Sequence, residues 1–189
     1  MDPEHYAIEI IADLGINALP IEPLCIAREF DIEVVEEDAD NIEGCLLRNG
    51  TNTRIIINKN IENQGRKNFT LAHEVGHYSI PTHRGNYQCL TKHLNPFTKN
   101  PIHETEANRF ASELLLPESL LKPLIHQFKP DFEDLSDLAA VCNTSLTATT
   151  IKYVSLTYEC CALIASSNNR IKSYIPPAIA PLSTSLGVA

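Results

Sequence analysis

The stretch Arg66-Lys67-Asn68-Phe69-Thr70-Leu71-Ala72-His73-Glu74-Val75-Gly76-His77-Tyr78-Ser79 decides how this chain is read. Phe69, Leu71, Ala72, Val75 and Gly76 recur at helical spacing and the pattern must stop before Pro81, so a helix is expected over 66–79. Inside it lies His73-Glu74-Val75-Gly76-His77, an HExxH string. Residues four apart share one face of a helix, so the two imidazoles can meet a single zinc ion while Glu74 projects beside it. Such a site makes water nucleophilic and polarises a carbonyl, with the glutamate as general base, so Glu74 is the candidate catalytic residue.

A catalytic zinc needs a third protein ligand and one open position. The next helical stretch, 103–115, stops at Pro117 and offers two carboxylates at its start. Glu104 falls in line with the apolar stripe Ala107, Ala111, Leu114 and Leu115, whereas Glu106 lines up with Arg109 and Glu113. A carboxylate on a buried stripe needs a partner, which a metal between two helices provides, and Glu106 reads as a surface ion-pair residue. Glu104 is therefore the expected third ligand beside His73 and His77, with His103 and Glu106 as rivals. Asn108, one turn after Glu104, is placed to hydrogen-bond a ligand or to pack between helices. Tyr78, His83, Tyr87, His93, His103 and Tyr153 are open candidates for a donor to a developing oxyanion.

Outward from this pair, helices are expected over 3–14 and 22–30, and strands at 32–35, 44–47 and 54–58, the last two joined by the turn cluster Asn49-Gly50-Thr51-Asn52. Residues 81–102 show no sustained period and read as a long irregular connection. This connection has no Asp or Glu but carries His83, Arg84, Lys92, His93 and Lys99, so it is an expected substrate-contacting segment or a solvated excursion. Further helices are expected over 119–127, 135–142 and 147–157, then a hairpin of 160–166 with 170–175. The fold class that results is α+β: a small antiparallel or mixed sheet packed on a zinc-binding helix pair, with a helix-rich C-terminal half. Residues 1–175 form one expected domain, and 176–189, without a charge, an expected flexible tail.

The 189 residues carry 15 Lys and Arg against 24 Asp and Glu, a net charge of -9 that disfavours nucleic-acid or anionic-membrane binding. No apolar stretch approaches the roughly 18 residues of a membrane span, and Met1-Asp2-Pro3-Glu4-His5 does not open a signal peptide, so a cytoplasmic protein is expected. Cys25, Cys45, Cys89, Cys142, Cys160 and Cys161 include no CxxC pair and are expected to be mostly buried free thiols, with the vicinal 160–161 pair on opposite faces of a strand. Residues 135–157 have a helix-turn-helix outline, yet Asp131, Glu133, Asp134 and Asp137 surround it against the single Lys152, so it reads as a packing hairpin or a protein-docking surface.

The run 68–78 followed by Glu104-Thr105-Glu106-Ala107-Asn108-Arg109-Phe110-Ala111-Ser112-Glu113-Leu114-Leu115-Leu116-Pro117 resembles the ImmA/IrrE family of metallopeptidases, over about residues 5–165. The resemblance implies a gluzincin-like zinc site on His73, His77 and Glu104 with Glu74 as base. It also implies an endopeptidase that cleaves a helix-turn-helix repressor to relieve repression of mobile-element or stress-response genes. The alternative is a silent zinc module that sequesters a repressor, for which His83, Cys89 or His93 would supply a fourth ligand; Cys89 could also cap the zinc of a latent enzyme. Oligomeric state is not specified.

Overall fold

A computed structural model describes residues 2–39, 42–90 and 102–176, with the backbone alone at 87–90. Its elements are α1 (Pro3–Asp13), α2 (Pro23–Glu29), β1 (Ile32–Glu37), β2 (Ile42–Asn49), β3 (Asn52–Asn58), α3 (Gln64–Ser79), β4 (Tyr87–Leu90), α4 (Ile102–Leu115), α5 (Glu118–Ile125), α6 (Phe132–Cys142), α7 (Leu146–Leu156), β5 (Leu163–Ser167) and β6 (Arg170–Ile175). The class is α+β, with a mixed four-stranded sheet in the order β1-β3-β2-β4 and a separate β5-β6 pair.

The hairpin β2-β3 pairs Asn49 with Asn52, and Gly50 takes the positive φ of 61° that its tight turn needs. Ile55 and Ile57 alternate inward on β3, while 43–46 of β2, the strand between β3 and β4, are buried without interruption, with α3 packed against the strand. The α3 helix starts two residues earlier than its apolar period suggests, since Asn63 caps it by accepting a hydrogen bond from Arg66 N at 2.8 Å. Leu71, Ala72 and Val75 of α3 meet Phe110, Ala111, Leu114 and Leu115 of α4 in the core, and α1 closes over α4 with Ala7, Ile10 and Ile11. Each buried aliphatic side chain there contributes roughly 1.5–3 kcal/mol.

Three expectations are corrected. The connection 81–102 is not wholly irregular, because Tyr87–Leu90 adds an edge strand antiparallel to β2. Its four residues carry too little local signal, and the open edge of β2 supplies the pairing. Cys45 and Cys142 are buried, but Cys25 and Cys160 are exposed and Cys161 half-buried, and both 160 and 161 precede β5 rather than lying in it. The face of α4 bearing Glu106, Arg109 and Glu113 is only partly solvated: Glu113 is buried in an ion pair of 2.5 Å with Lys152 of α7, and Glu106, half-buried, pairs with His83 of the chain after α3. Arg109 pairs instead with Asp2 and Glu4 at 2.6 Å, tying α4 to the start of α1.

The α6-α7 hairpin packs into the molecule. Asn143 adopts a left-handed conformation that ends α6, its carbonyl accepts from Asn68 Nδ2 at 3.0 Å, and a methyl group on Gly65 would strike the Thr144 backbone. Thr149 is fully buried with its hydroxyl 2.6 Å from that of Thr144, and Lys152 points to Glu113, while Thr147 of the same helix stays exposed. Among the described residues, no helix is long and apolar enough to cross a membrane. Lys92, His93, Lys99 and the tail from 177 lie outside the described residues.

Candidate metal centre

Helix α3 presents His73 and His77 one turn apart, both fully buried. Their Nε2 atoms lie 3.1 Å apart. Helix α4 brings Glu104 opposite them, with Oε2 3.3 Å from His73 Nε2 and Oε1 3.5 Å from His77 Nε2. A four-coordinate metal with bonds of about 2.0–2.1 Å sets its ligand atoms roughly 3.3–3.4 Å apart, and the two imidazole nitrogens and the nearer carboxylate oxygen to each of them stand at about that separation. The donor set, two imidazoles and one carboxylate, could hold a metal ion. Glu106 does not share this position.

Close helix approach makes the convergence possible. Gly76, inside the HExxH string, faces the Phe110 ring, which a methyl group there would meet at 2.9 Å. Glu74 points to the other neighbour of α3: it is fully buried, and a methyl on Gly44 of β2 would lie 2.5 Å from its Oε1. Beside Gly44, the buried Glu43 carboxylate takes both Nε and Nη2 of Arg66, at 2.8 and 2.5 Å, fastening β2 to the start of α3.

The far nitrogens of both histidines are engaged. His73 Nδ1 donates to Asn108 Oδ1 at 3.0 Å, and His77 Nδ1 lies 3.0 Å from His83 Nδ1. Both contacts leave Nε2 to face Glu104. Burial, the largest influence, pushes His77 down to about 4 against a partial offset from Glu104, so the ring is neutral near neutral pH and its lone pair is available. Burial raises the Glu104 carboxyl, but in the metal-free site its interactions with the His73 and His77 rings outweigh burial and hold the group well below its ordinary range. The same burial, with Glu74 close by, pushes the Cys45 thiol up to about 11, leaving it protonated and poorly nucleophilic.

Of the residues weighed as oxyanion donors, Tyr153 is excluded by its place in the core, where its hydroxyl donates to Phe128 O at 2.8 Å. Tyr78 packs on Phe30, with ring centroids 5.8 Å apart, and under Arg48. His83 is buried rather than part of a basic surface, and His103 stacks near it at 4.3 Å. The side chains of Tyr87 and Cys89, like His93, are outside the described residues. Sequence reasoning did not single out Arg48, whose Nη2 donates to the carbonyls of His77 and Tyr78 at 2.8 and 3.4 Å and whose Nη1 reaches Gly85 O. That guanidinium satisfies the carbonyl end of α3 and pins the chain leading to β4.

An HExxH helix facing a carboxylate-bearing helix beneath a small mixed sheet is the architecture of a metallopeptidase-type domain. The family model of the IrrE N-terminal-like domain, Peptidase_M78, matches residues 27–152, and the chain belongs to that family. It is also similar to uncharacterized immunity region protein 2 of Bacillus phage phi105, at 34% identity over 120 residues that cover 63% of this chain and 71% of that protein.

Proposed function

We propose that this protein is a zinc-dependent endopeptidase whose substrate is a helix-turn-helix transcriptional repressor. The observation that carries the catalytic reading is the convergence of His73 Nε2, His77 Nε2 and the Glu104 carboxylate, with the buried Glu74 next to His73 in the chain. His73, His77 and Glu104 would hold the metal. Zinc bound there would supply Lewis acidity toward water and a scissile carbonyl. Glu74 would take the proton from the attacking water and hand it to the leaving amide nitrogen, with Gly44 leaving room for its carboxylate. Asn108 holds the His73 ring in the tautomer that directs Nε2 inward.

The repressor as substrate is supported by the family resemblance and by the relative, whose name assigns it to a phage immunity region. A protein that cleaves a repressor from inside the cell is cytoplasmic, which is part of the same proposal. The test pairs metal analysis with co-expression of the repressor encoded nearest to the protein, for the natural chain and its Glu74→Gln form. One zinc per chain in both, with a repressor fragment from the natural chain alone, is the expected result. Zinc in both with intact repressor in both would replace the peptidase with a sequestering module.

A further inference from the structure

His83 lies outside the HExxH string, yet its side chain is turned into the molecule. A hydrogen bond from His83 N to Ile80 O at 3.0 Å closes the turn after α3 and leaves the residue 2% exposed. Its Nδ1 is 3.0 Å from His77 Nδ1, and its Nε2 is 2.8 Å from Glu106 Oε2. The His103 ring lies along one face at 4.3 Å with the planes 30° apart.

Proton accounting gives this chain of contacts a direction. If His77 commits Nε2 to a metal, as the peptidase reading requires, the single proton of the neutral ring sits on Nδ1. His83 Nδ1 must then accept, so the proton of His83 resides on Nε2, where the Glu106 carboxylate accepts it. Each link has one donor and one acceptor. The same accounting decides against a second reading of this corner, in which His83, His103 and Glu106, close enough to hold a metal, do so. A metal on His83 Nε2 would move that ring's proton to Nδ1 and set two N–H groups against each other across 3.0 Å.

We propose that Glu106 and His83 are positioning residues, forming a two-link hydrogen-bond chain, Glu106 to His83 to His77, that fixes the tautomer and orientation of His77 and raises its strength as a metal ligand. This rests on the peptidase reading only through His77 as a ligand. The chain is the counterpart, on the second histidine, of the Asn108 contact on the first, but it ends on a charge, so it polarises His77 more strongly.

The test measures zinc affinity by chelator competition and the visible spectrum of the Co²⁺-substituted protein, neither of which needs a substrate. Glu106→Ala is expected to weaken zinc by about 10- to 100-fold and to shift the Co²⁺ bands. Glu106→Gln, which keeps an acceptor for His83 Nε2–H but removes the charge, is expected to recover only part of that loss. The double variant His83→Ala with Glu106→Ala should bind no more weakly than His83→Ala, because Glu106 acts through His83. If His83→Ala fails to fold, the Ala and Gln variants at 106 carry the test. Unchanged affinity and spectrum in Glu106→Ala would overturn the proposal, as would two zinc ions per natural chain falling to one in that variant. A natural chain that binds one zinc and cuts no repressor would refute the peptidase reading, while the affinity ratios would still decide this one.

Discussion

Gly44 and Glu74 occupy one space between strand β2 and helix α3: a methyl group on Gly44 would sit 2.5 Å from Glu74 Oε1 and 3.0 Å from its Cγ. The strand is stripped of a side chain at the one point where the helix turns its acid toward the sheet. Thr70, one turn before Glu74, would also be struck, at 2.7 Å, so the vacancy is shaped by two residues of the helix.

Gly44→Ala should therefore displace the Glu74 carboxylate. We expect cleavage to fall about 100-fold, the cost of a misplacement of about 1 Å, with zinc content unchanged, because His73 and His77 lie roughly 100° and roughly 60° around α3 from Glu74, both on the same side of it. Overpacking against Thr70 should cost about 1–3 kcal/mol of stability. Single-turnover kinetics together with metal analysis checks this, and loss of zinc in the variant would show that Gly44 serves the metal site instead.

Gly76→Ala should act on the other side of the same helix. A methyl there meets the Phe110 ring at 2.9 Å and would force α3 and α4 apart, which separates the two histidines from Glu104. The expected result is a stability loss of about 1–3 kcal/mol and weaker zinc binding. Adding Phe110→Leu should restore part of both, by urea unfolding and chelator competition. No recovery would mean that the spacing of the helices is set elsewhere.

Asn108→Ala should lower zinc affinity by about 10- to 100-fold by releasing His73 Nδ1, while leaving the fold intact. The loss should add to that of Glu106→Ala, since the two act on different histidines. A combined loss no greater than either single one would join them in one network.

The metal-free protein should lose stability in mild acid. Burial holds the native His77 pKa at about 4, against an ordinary value of 6.5. Between those values the unfolded chain carries a proton that the native state lacks, so this contribution, up to about 3 kcal/mol, is complete above pH 6.5 and is lost as the pH falls toward 4. Glu104, held below its ordinary value of 4.5, extends the loss in the same direction at lower pH. Urea midpoints of the metal-free protein at pH 7.5, 6 and 5 would reveal the decline; a flat profile would refute it.

Much of the architecture is legible along the chain because it is set by neighbours in sequence. Asn168 and Asn169 take φ values of 51° and 59° in the two-residue turn between Ser167 and Arg170, where the sequence signals a hairpin. Glu104 was separable from Glu106 by helical period, and the distances to His73 and His77 follow that separation. Glu106 is the partly exposed ion-pair residue that a period of 3.6 implies, but the period could not name its partner. A segment 23 residues away in sequence lies against it, bringing His83 to 2.8 Å.

By itself the sequence determined the α+β class, the order of nearly all the elements, and the pair of helices that bring two imidazoles and a carboxylate within reach of one metal. Those features follow from side-chain period, caps and turns, which act over a few residues. Tertiary structure alone decided that β4 pairs with the edge of β2, that Gly44 yields its space to Glu74, that Arg48 closes the end of α3, and that His83 joins Glu106 to His77. Each joins segments far apart along the chain. Such contacts leave no local period to read, and only packing the helices against the sheet brings them into being.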